Sequence, residues 1–343
     1  MMAAEENTSQ NDSPNTRSTV EHLERTEPRT REKISRILGQ TWENYSIYIV
    51  LVVLFVAGAV SSGAFLKVVN LLNILRQVSI LGLISIGMTL VILTAGIDLS
   101  VGAVVGLTSI VLSLLMPSGV LLAVFIALLC GVMVGLVNGI GVAKGGMPPF
   151  IVTLGMMSIG RGLALFVSQG QVIEFFNPSF EILGAGRVKG IVPVSALIFL
   201  GIIGLASFML RNTVFGRNVY AVGANEEAAR LSGINVERVK IMAYLLSGLL
   251  ASTGGLVYAS LLTVGVPTGG QGMELDAIAA VVIGGTSFFG GIGSMSGTLA
   301  GVLIIGIINN VLNLRNISPY IQQLAKGVII LVAVYVDYRK KRR

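Results

Sequence analysis

The chain has 343 residues, of which 53% are apolar, 12% are charged and 43 are glycine, and its mean hydropathy is +0.83. Soluble domains carry about 25% charged residues, so this composition excludes a soluble globular protein. At about 20 apolar residues per crossing of a hydrocarbon core about 30 Å thick, there is material for on the order of ten spans. The formal charge of +7 does not indicate nucleic acid, because the basic residues sit in a polar tail, one loop and a last five-residue cluster, with no polar domain large enough to form a groove.

Residues 1–44 are polar, rich in Ser, Thr, Asn, Glu and Arg, which predicts a largely disordered cytoplasmic tail; within it, 31–39 has the pattern of a short amphipathic helix lying on the membrane. The first apolar stretch begins near Tyr45, too late and too long for a secretory signal, and reads as a retained helix. Apolar segments follow at 45–62, 78–95, 99–116, 120–142, 150–168, 191–210, 241–262, 274–289, 297–314 and 319–336, which predicts ten crossings in an all-helical transmembrane domain over 45–338. With both termini inside, seventeen of the 24 Lys and Arg fall on the inner side, in the tail, near Lys144, in the loop 211–240 and in the basic terminus 339–343. That excess fits the positive-inside rule. Trp42, Tyr45 and Tyr48 at the first span and Tyr335 and Tyr338 at the last match aromatic anchoring at that same interface.

Gly131, Gly135 and Gly139 recur every four residues, as do the pairs Gly102/Gly106 and Gly297/Gly301, so each set shares a helix face that lets another backbone approach closely. Two breaks, 95–100 and 284–297, interrupt the apolar runs and precede similar small-residue helices, a hint of an internal repeat with both breaks near the inner face. Cys130 lies in an apolar run and reads as a small buried hydrophobe, and the single histidine, His22, as a solvated tail residue. With no metal-ligand spacing, the pattern predicts no metal, cofactor or catalytic group.

The polar loop 211–240 contains Gly223-Ala-Asn-Glu-Glu-Ala-Ala-Arg-Leu-Ser-Gly233. Asn225 is a good N-cap, Glu226 and Glu227 occupy the first turn, where negative charge suits the helix dipole, and Gly233 stands where a left-handed C-cap is wanted. Two turns of helix are marginal alone, so this helix needs bracing. Ala228, Ala229 and Leu231 offer a small apolar surface that either docks into a partner or merely helps tie two spans together.

This loop resembles the ATPase-contacting loop of permeases from bacterial ABC importers. The stretches 87–94 (GMTLVILT) and 96–102 (GIDLSVG), 274–282 (ELDAIAAVV) with 284–287 (GGTS), and 309–314 (NNVLNL) resemble ribose-type sugar permeases, in order, from about residue 45 to the end. The resemblance implies a multi-pass inner-membrane permease for a monosaccharide. It would work by alternating access with a cytoplasmic ABC ATPase, a periplasmic or lipid-anchored sugar-binding protein and a second permease subunit, identical or a close paralogue. It implies an ATPase-coupling role for Gly223, Asn225, Glu226, Glu227, Ala228, Ala229, Arg230, Leu231 and Gly233. The chain has no G-x-x-x-x-G-K-[ST], and its glycine-rich stretch 290–297 lacks the lysine that would hold phosphates, so ATP would be hydrolysed on another chain. Rival readings are an ABC permease for a nucleoside or branched-chain amino acid, an ion-coupled secondary transporter, and a receptor or scaffold without flux.

Ionisable groups inside spans are functional candidates by default. Asp98 reads as a helix cap near the inner end or as a gate; Arg161 as a buried pair or a carbonyl-bound guanidinium; Lys326 as a partner in helix pairing. Glu274 and Asp276 read as contacts for a binding protein or as solvated groups at an outer end. A neutral sugar needs amides and hydroxyls, which Asn309, Asn310, Asn313, Gln322 and Gln323 concentrate in the last two spans, either as pathway lining or as interhelical hydrogen bonds; Asn138 is a lesser candidate.

Overall fold

The computed structural model describes residues 47–341. The tail 1–44 with its expected amphipathic stretch, His22, Trp42, Tyr45 and the last two arginines lie outside them. The described residues are mostly helical, and eight of their helices are long and apolar enough to cross a membrane. In chain order the helices are α1 (Ile47–Ser61), α2 (Val68–Leu93), α3 (Val101–Leu115, extended by a 3₁₀ turn to Ser118), α4 (Val120–Ala143), α5 (Pro149–Ser168), α6 (Pro178–Ala185) and α7 (Val194–Asn212). There follow α8 (Val214–Ala224), α9 (Glu226–Leu231), α10 (Val236–Leu262), α11 (Met273–Ile283), α12 (Met295–Leu314) and α13 (Pro319–Lys341).

Two of the ten expected spans are not among these eight. One is α1; the other is α11, whose 11 residues cover only part of the expected 274–289 segment. Gly284 and Gly285 end the helix there, and the residues before Met273 form a run of turns rather than a helix.

Burial separates centre from rim. The most apolar window of α2 is 83% buried, whereas that of α13 is 6% buried. α10 packs against α4, α2 and α3, and its small residues Ser247, Gly248, Ala251, Ser252 and Gly255 explain how one helix serves three neighbours. The glycine face of α4 meets α10 directly. A Cβ at Gly135 would strike the Tyr244 carbonyl oxygen, and one at Gly139 would lie 2.8 Å from the Cα of Ile241. Lipid supplies no hydrophobic drive between helices, so close backbone packing of this kind holds the pair together.

Contacts along the chain define two ends of the bundle. At one end α2 finishes, α8 and α9 form the polar loop, and α10 begins. At the other, Ile173–Glu174 (β1) pairs antiparallel with Val264–Gly265 (β4), Arg187–Val188 (β2) pairs with Val192–Pro193 (β3), and Ser260 Oγ donates to the Phe180 carbonyl of α6 at 2.6 Å. Single-sequence periodicity gave no sign of these two-residue strands.

Replacing Gly135 with leucine is expected to lower the melting temperature of the detergent-solubilised protein, at an overpacking cost of about 1–3 kcal/mol. Gly201→Leu, on α7 with nothing within 4 Å of an added Cβ, is expected to leave it unchanged. A thermal melt of the two variants side by side checks this.

Candidate functional site

Three structures that the sequence keeps far apart meet at the loop end of the bundle. The Gly291 amide donates to the Leu93 carbonyl at 3.0 Å, which joins the second break to the end of α2. Tyr220 Oη of α8 donates to the Gly293 carbonyl at 2.9 Å. Gly223 of α8 sits between them so tightly that a Cβ there would meet the Leu93 carbonyl oxygen and lie 2.6 Å from the Gly291 nitrogen. From the other side, Asp337 of α13 accepts from the Phe288 amide at 2.9 Å and from Ser287 Oγ at 3.1 Å. Deeper in the bundle, Thr89 and Thr298 share a 2.7 Å hydroxyl contact, which ties the helix before the first break to the helix after the second.

α9 is mounted on this junction. Asn225 caps it by accepting from the Ala228 amide at 2.9 Å, and Gly233 adopts the left-handed φ of +82°. Glu226 is bound within the loop, to Lys240 at 2.6 Å and to Arg230 at 3.3 Å. Ala229 is buried, whereas Ala228 and Arg230 are exposed and Leu231 is 84% exposed. The surface expected of Ala228, Ala229 and Leu231 is therefore corrected: Ala229 faces inward and braces the short helix, and Gly223 is likewise internal. Asn225, Glu226, Glu227, Ala228, Arg230, Leu231 and Gly233 remain exposed.

Asp98 lies at the centre of a buried polar knot. Its Oδ1 accepts from Ser100 Oγ at 2.6 Å and from the Ser100 amide at 3.0 Å; its Oδ2 accepts from Ser247 Oγ at 2.8 Å. Asn138 donates to Ser100 Oγ at 2.9 Å and stands 3.4 Å from Asp98 Oδ1, while Tyr244 Oη donates to the Ile97 carbonyl at 3.2 Å. Among the described residues no ion pair reaches this carboxylate. Burying it costs free energy that hydrogen bonds from three elements offset. The expected cap near the inner end is corrected in two ways. Asp98 binds the amide of Ser100, ahead of the first helical residue, and its partner Ser247 lies close to the middle of α10, which puts the carboxylate deep in the bundle.

From β4 the chain runs as a series of turns along α3 toward that depth. The Val266 amide donates to Ser109 Oγ at 3.2 Å, Gly269 sits against Gly106, and Gly270 lies so close to Gly102 that a Cβ on either would strike or crowd the other's carbonyl. The small-residue face of α3 thus receives a run of glycine-rich turns rather than a helix. Arg161 of α5 bonds the carbonyls of Pro267 and Gly269 at 3.0 and 2.9 Å. Glu274 follows at the start of α11, where it accepts from the Gly272 amide at 3.2 Å. Asp276 is 9% exposed and pairs with Lys326 at 2.8 Å. Its expected place as a solvated contact at an outer end is corrected: the charge of Lys326 on α13 draws it inward.

The amide-rich spans are mostly self-satisfied. Asn310 and Asn70 exchange bonds at 2.8 and 3.0 Å, and Gln322 donates to Asn313 Oδ1 at 2.9 Å. Asn309 is half-buried and Gln323 is exposed. A cavity of about 450 Å³ between α1, α2 and α12 is lined by apolar groups such as Leu51, Phe55, Leu71 and Leu303 and offers nothing to a polar solute.

Residues 70–334 match the family model described as branched-chain amino acid transport system / permease component. The chain belongs to this family. It is 46% identical over 294 residues to the ribose import permease protein RbsC of Bacillus subtilis, covering 84% of this chain and 91% of that protein. It is 45% identical over 315 residues to RbsC of Escherichia coli K12, covering 89% and 97%. The L-arabinose transport system permease protein AraH of Escherichia coli K12 is 38% identical over 323 residues, covering 90% and 95%. No solved structure matches the chain.

Within this permease, sequence reading missed Tyr220, Tyr244, Ser247, Asn70 and Asp337. Tyr244 and Ser247 carry a weak signal, polar groups in the first half of an otherwise small and apolar helix. Asp337 lies one residue beyond the expected end of the last span, where an acid normally reads as solvated.

Removing one member of the Lys326–Asp276 pair leaves a largely buried charge unmatched, so Lys326→Met and Asp276→Leu are each expected to destabilise by about 1–3 kcal/mol. The double variant is expected to recover most of that loss in a double-mutant thermal-melt cycle. Asp98→Ala, which strips the acceptor from three elements at once, is expected to cost about 2–4 kcal/mol, with Asp98→Asn falling between it and the parent in the same melt.

Proposed function

We propose that this chain is the membrane-spanning permease subunit of an ABC importer for a monosaccharide, ribose or a close relative, in a bacterial inner membrane. The observation that carries the solute class is 45–46% identity to ribose import permeases over nearly their full length. The family label names branched-chain amino acids, but the closeness to two sugar permeases outweighs it. The chain is a transporter component, not an enzyme.

In this reading the eight long helices, α1, and the combined path of 264–283 make ten crossings with both termini in the cytoplasm. The polar loop end is then the inner end, which agrees with the excess of Lys and Arg there. The exposed part of α9, with Leu231 at its tip, docks on a cytoplasmic ABC ATPase. A binding protein delivers sugar from outside, and a second permease subunit closes the pathway. Closure of the ATPase moves α9, and because Gly223 and Tyr220 of α8 touch the end of α2 and the second break, that movement reaches the helices beside them. Asp98 holds the start of α3 to α4 and α10, so these respond together. Transmission through packed contacts of this kind suits a two-state switch.

The deciding experiment is ATP-dependent uptake of labelled ribose in proteoliposomes holding this permease with its ATPase and binding protein. Uptake insensitive to an uncoupler and competed by unlabelled ribose is expected. Leu231→Asp is expected to cut both ATPase assembly and uptake by about tenfold or more, since it places a charge in a docking core, while leaving the thermal melt of the isolated permease unchanged. ATPase stimulated by the loaded binding protein without ribose uptake would discard ribose and keep the importer; uptake that collapses with the uncoupler would discard the importer.

A further inference from the structure

We propose that the non-helical segment 266–272 lines the translocation pathway at mid-depth, with Thr268 and Gln271 as the side chains that meet the passing sugar. This deepens the permease reading and rests on it.

The first support is the backbone itself. Residues 265–270 lie beside Ser113, Ser109, Gly106 and Gly102 of α3, a helix long enough to cross the membrane, so this non-helical stretch sits at membrane depth. Irregular backbone is tolerated there only when it is buried in protein or faces a water-filled cavity, because lipid cannot satisfy its amides and carbonyls. One side of the segment is buried: Gly265, Pro267, Gly269 and Gly270 face inward, and Arg161 takes up the carbonyls of Pro267 and Gly269. Thr268 and Gln271 on the other side are exposed. A backbone turn from the Gln271 amide to the Thr268 carbonyl holds the two positions together. A polar, irregular surface at this depth belongs against water, not lipid.

The second support is chemistry. A neutral polyol is recognised by neutral donors and acceptors, which Thr268 and Gln271 supply without a charge that would bind too tightly for passage. Several of the amides that composition alone favours are engaged elsewhere: Asn310 with Asn70, Gln322 with Asn313, and Asn138 with Ser100. Third, α11 begins here, part-way through the bundle, and discontinuous helices that start near the midplane are where transporters place their solute sites. Arg161 is then a positioning residue that holds the segment's carbonyls from behind, without itself touching the solute.

The test uses the permease assembled with its ATPase and binding protein, in a Cys130→Ala background that removes the single native thiol. Thr268→Cys, Gln271→Cys and, as a lipid-facing comparison, Leu205→Cys, 67% exposed on α7, are reacted with a trimethylammonium methanethiosulfonate. Only a thiolate in water reacts quickly, so modification at 268 and 271 is expected to be about tenfold faster or more than at 205. The rate is also expected to change when the ATPase is trapped with vanadate. Labelling at both positions as slow as at 205 overturns the assignment. Since labelling does not depend on the solute, fast trap-sensitive labelling without ribose uptake retires the ribose reading and keeps the pathway, whereas uptake without labelling does the reverse. If one cysteine variant fails to assemble, the other carries the same comparison.

Discussion

Every backbone amide and carbonyl inside a bilayer has to find a partner within the protein, and the architecture follows from how this chain meets that demand where its helices stop. Eight long helices satisfy it internally. The two breaks and the turn segment 266–272 meet it only in part, and each is supplemented from other elements: the first break by Tyr244, Ser247 and Asn138, the second by Leu93, Tyr220 and Asp337, and the turn segment by Arg161 and Ser109. The costly residues in the spans are therefore concentrated where regular hydrogen bonding ends.

The same demand explains the glycines. Helix breaks that lend each other hydrogen bonds must approach to backbone contact, and side chains would hold them apart. Gly223 between Leu93 and Gly291, and Gly102 against Gly270, are places where a single methyl would separate the partners. Where α4 meets α10 the same chemistry serves plain packing. One residue type thus does two jobs, and only its position relative to the breaks tells them apart.

Much of this was legible in the sequence. Hydropathy located the helices, Asn225 and Gly233 bounded α9 correctly, and the four-residue glycine spacing on α4 marked a real contact face. Arg161 bonds carbonyls as one of its two readings anticipated, and Lys326 pairs between helices. What stayed hidden was long-range. Asp98 gave no hint of Ser247, which lies 149 positions away, and a run of apolar letters at 274–289 could not reveal that its helix is only 11 residues long and is preceded by glycine-rich turns. Burial of Ala229 rather than Leu231 is decided by the junction beneath α9, which local periodicity in a two-turn helix is too short to register.

The last helix carries a mechanical consequence. Although little of it is buried against the rest of the chain, α13 is fastened at two heights, by Lys326 to the start of α11 and by Asp337 to the break that follows α11. Two polar pins at different levels leave a helix free to rock but not to slide along the membrane normal. Its register against α11 is thereby locked, so a bilayer that thickens or thins around it pulls on α11 and the second break as one piece, and the lipid itself becomes a load on the moving parts.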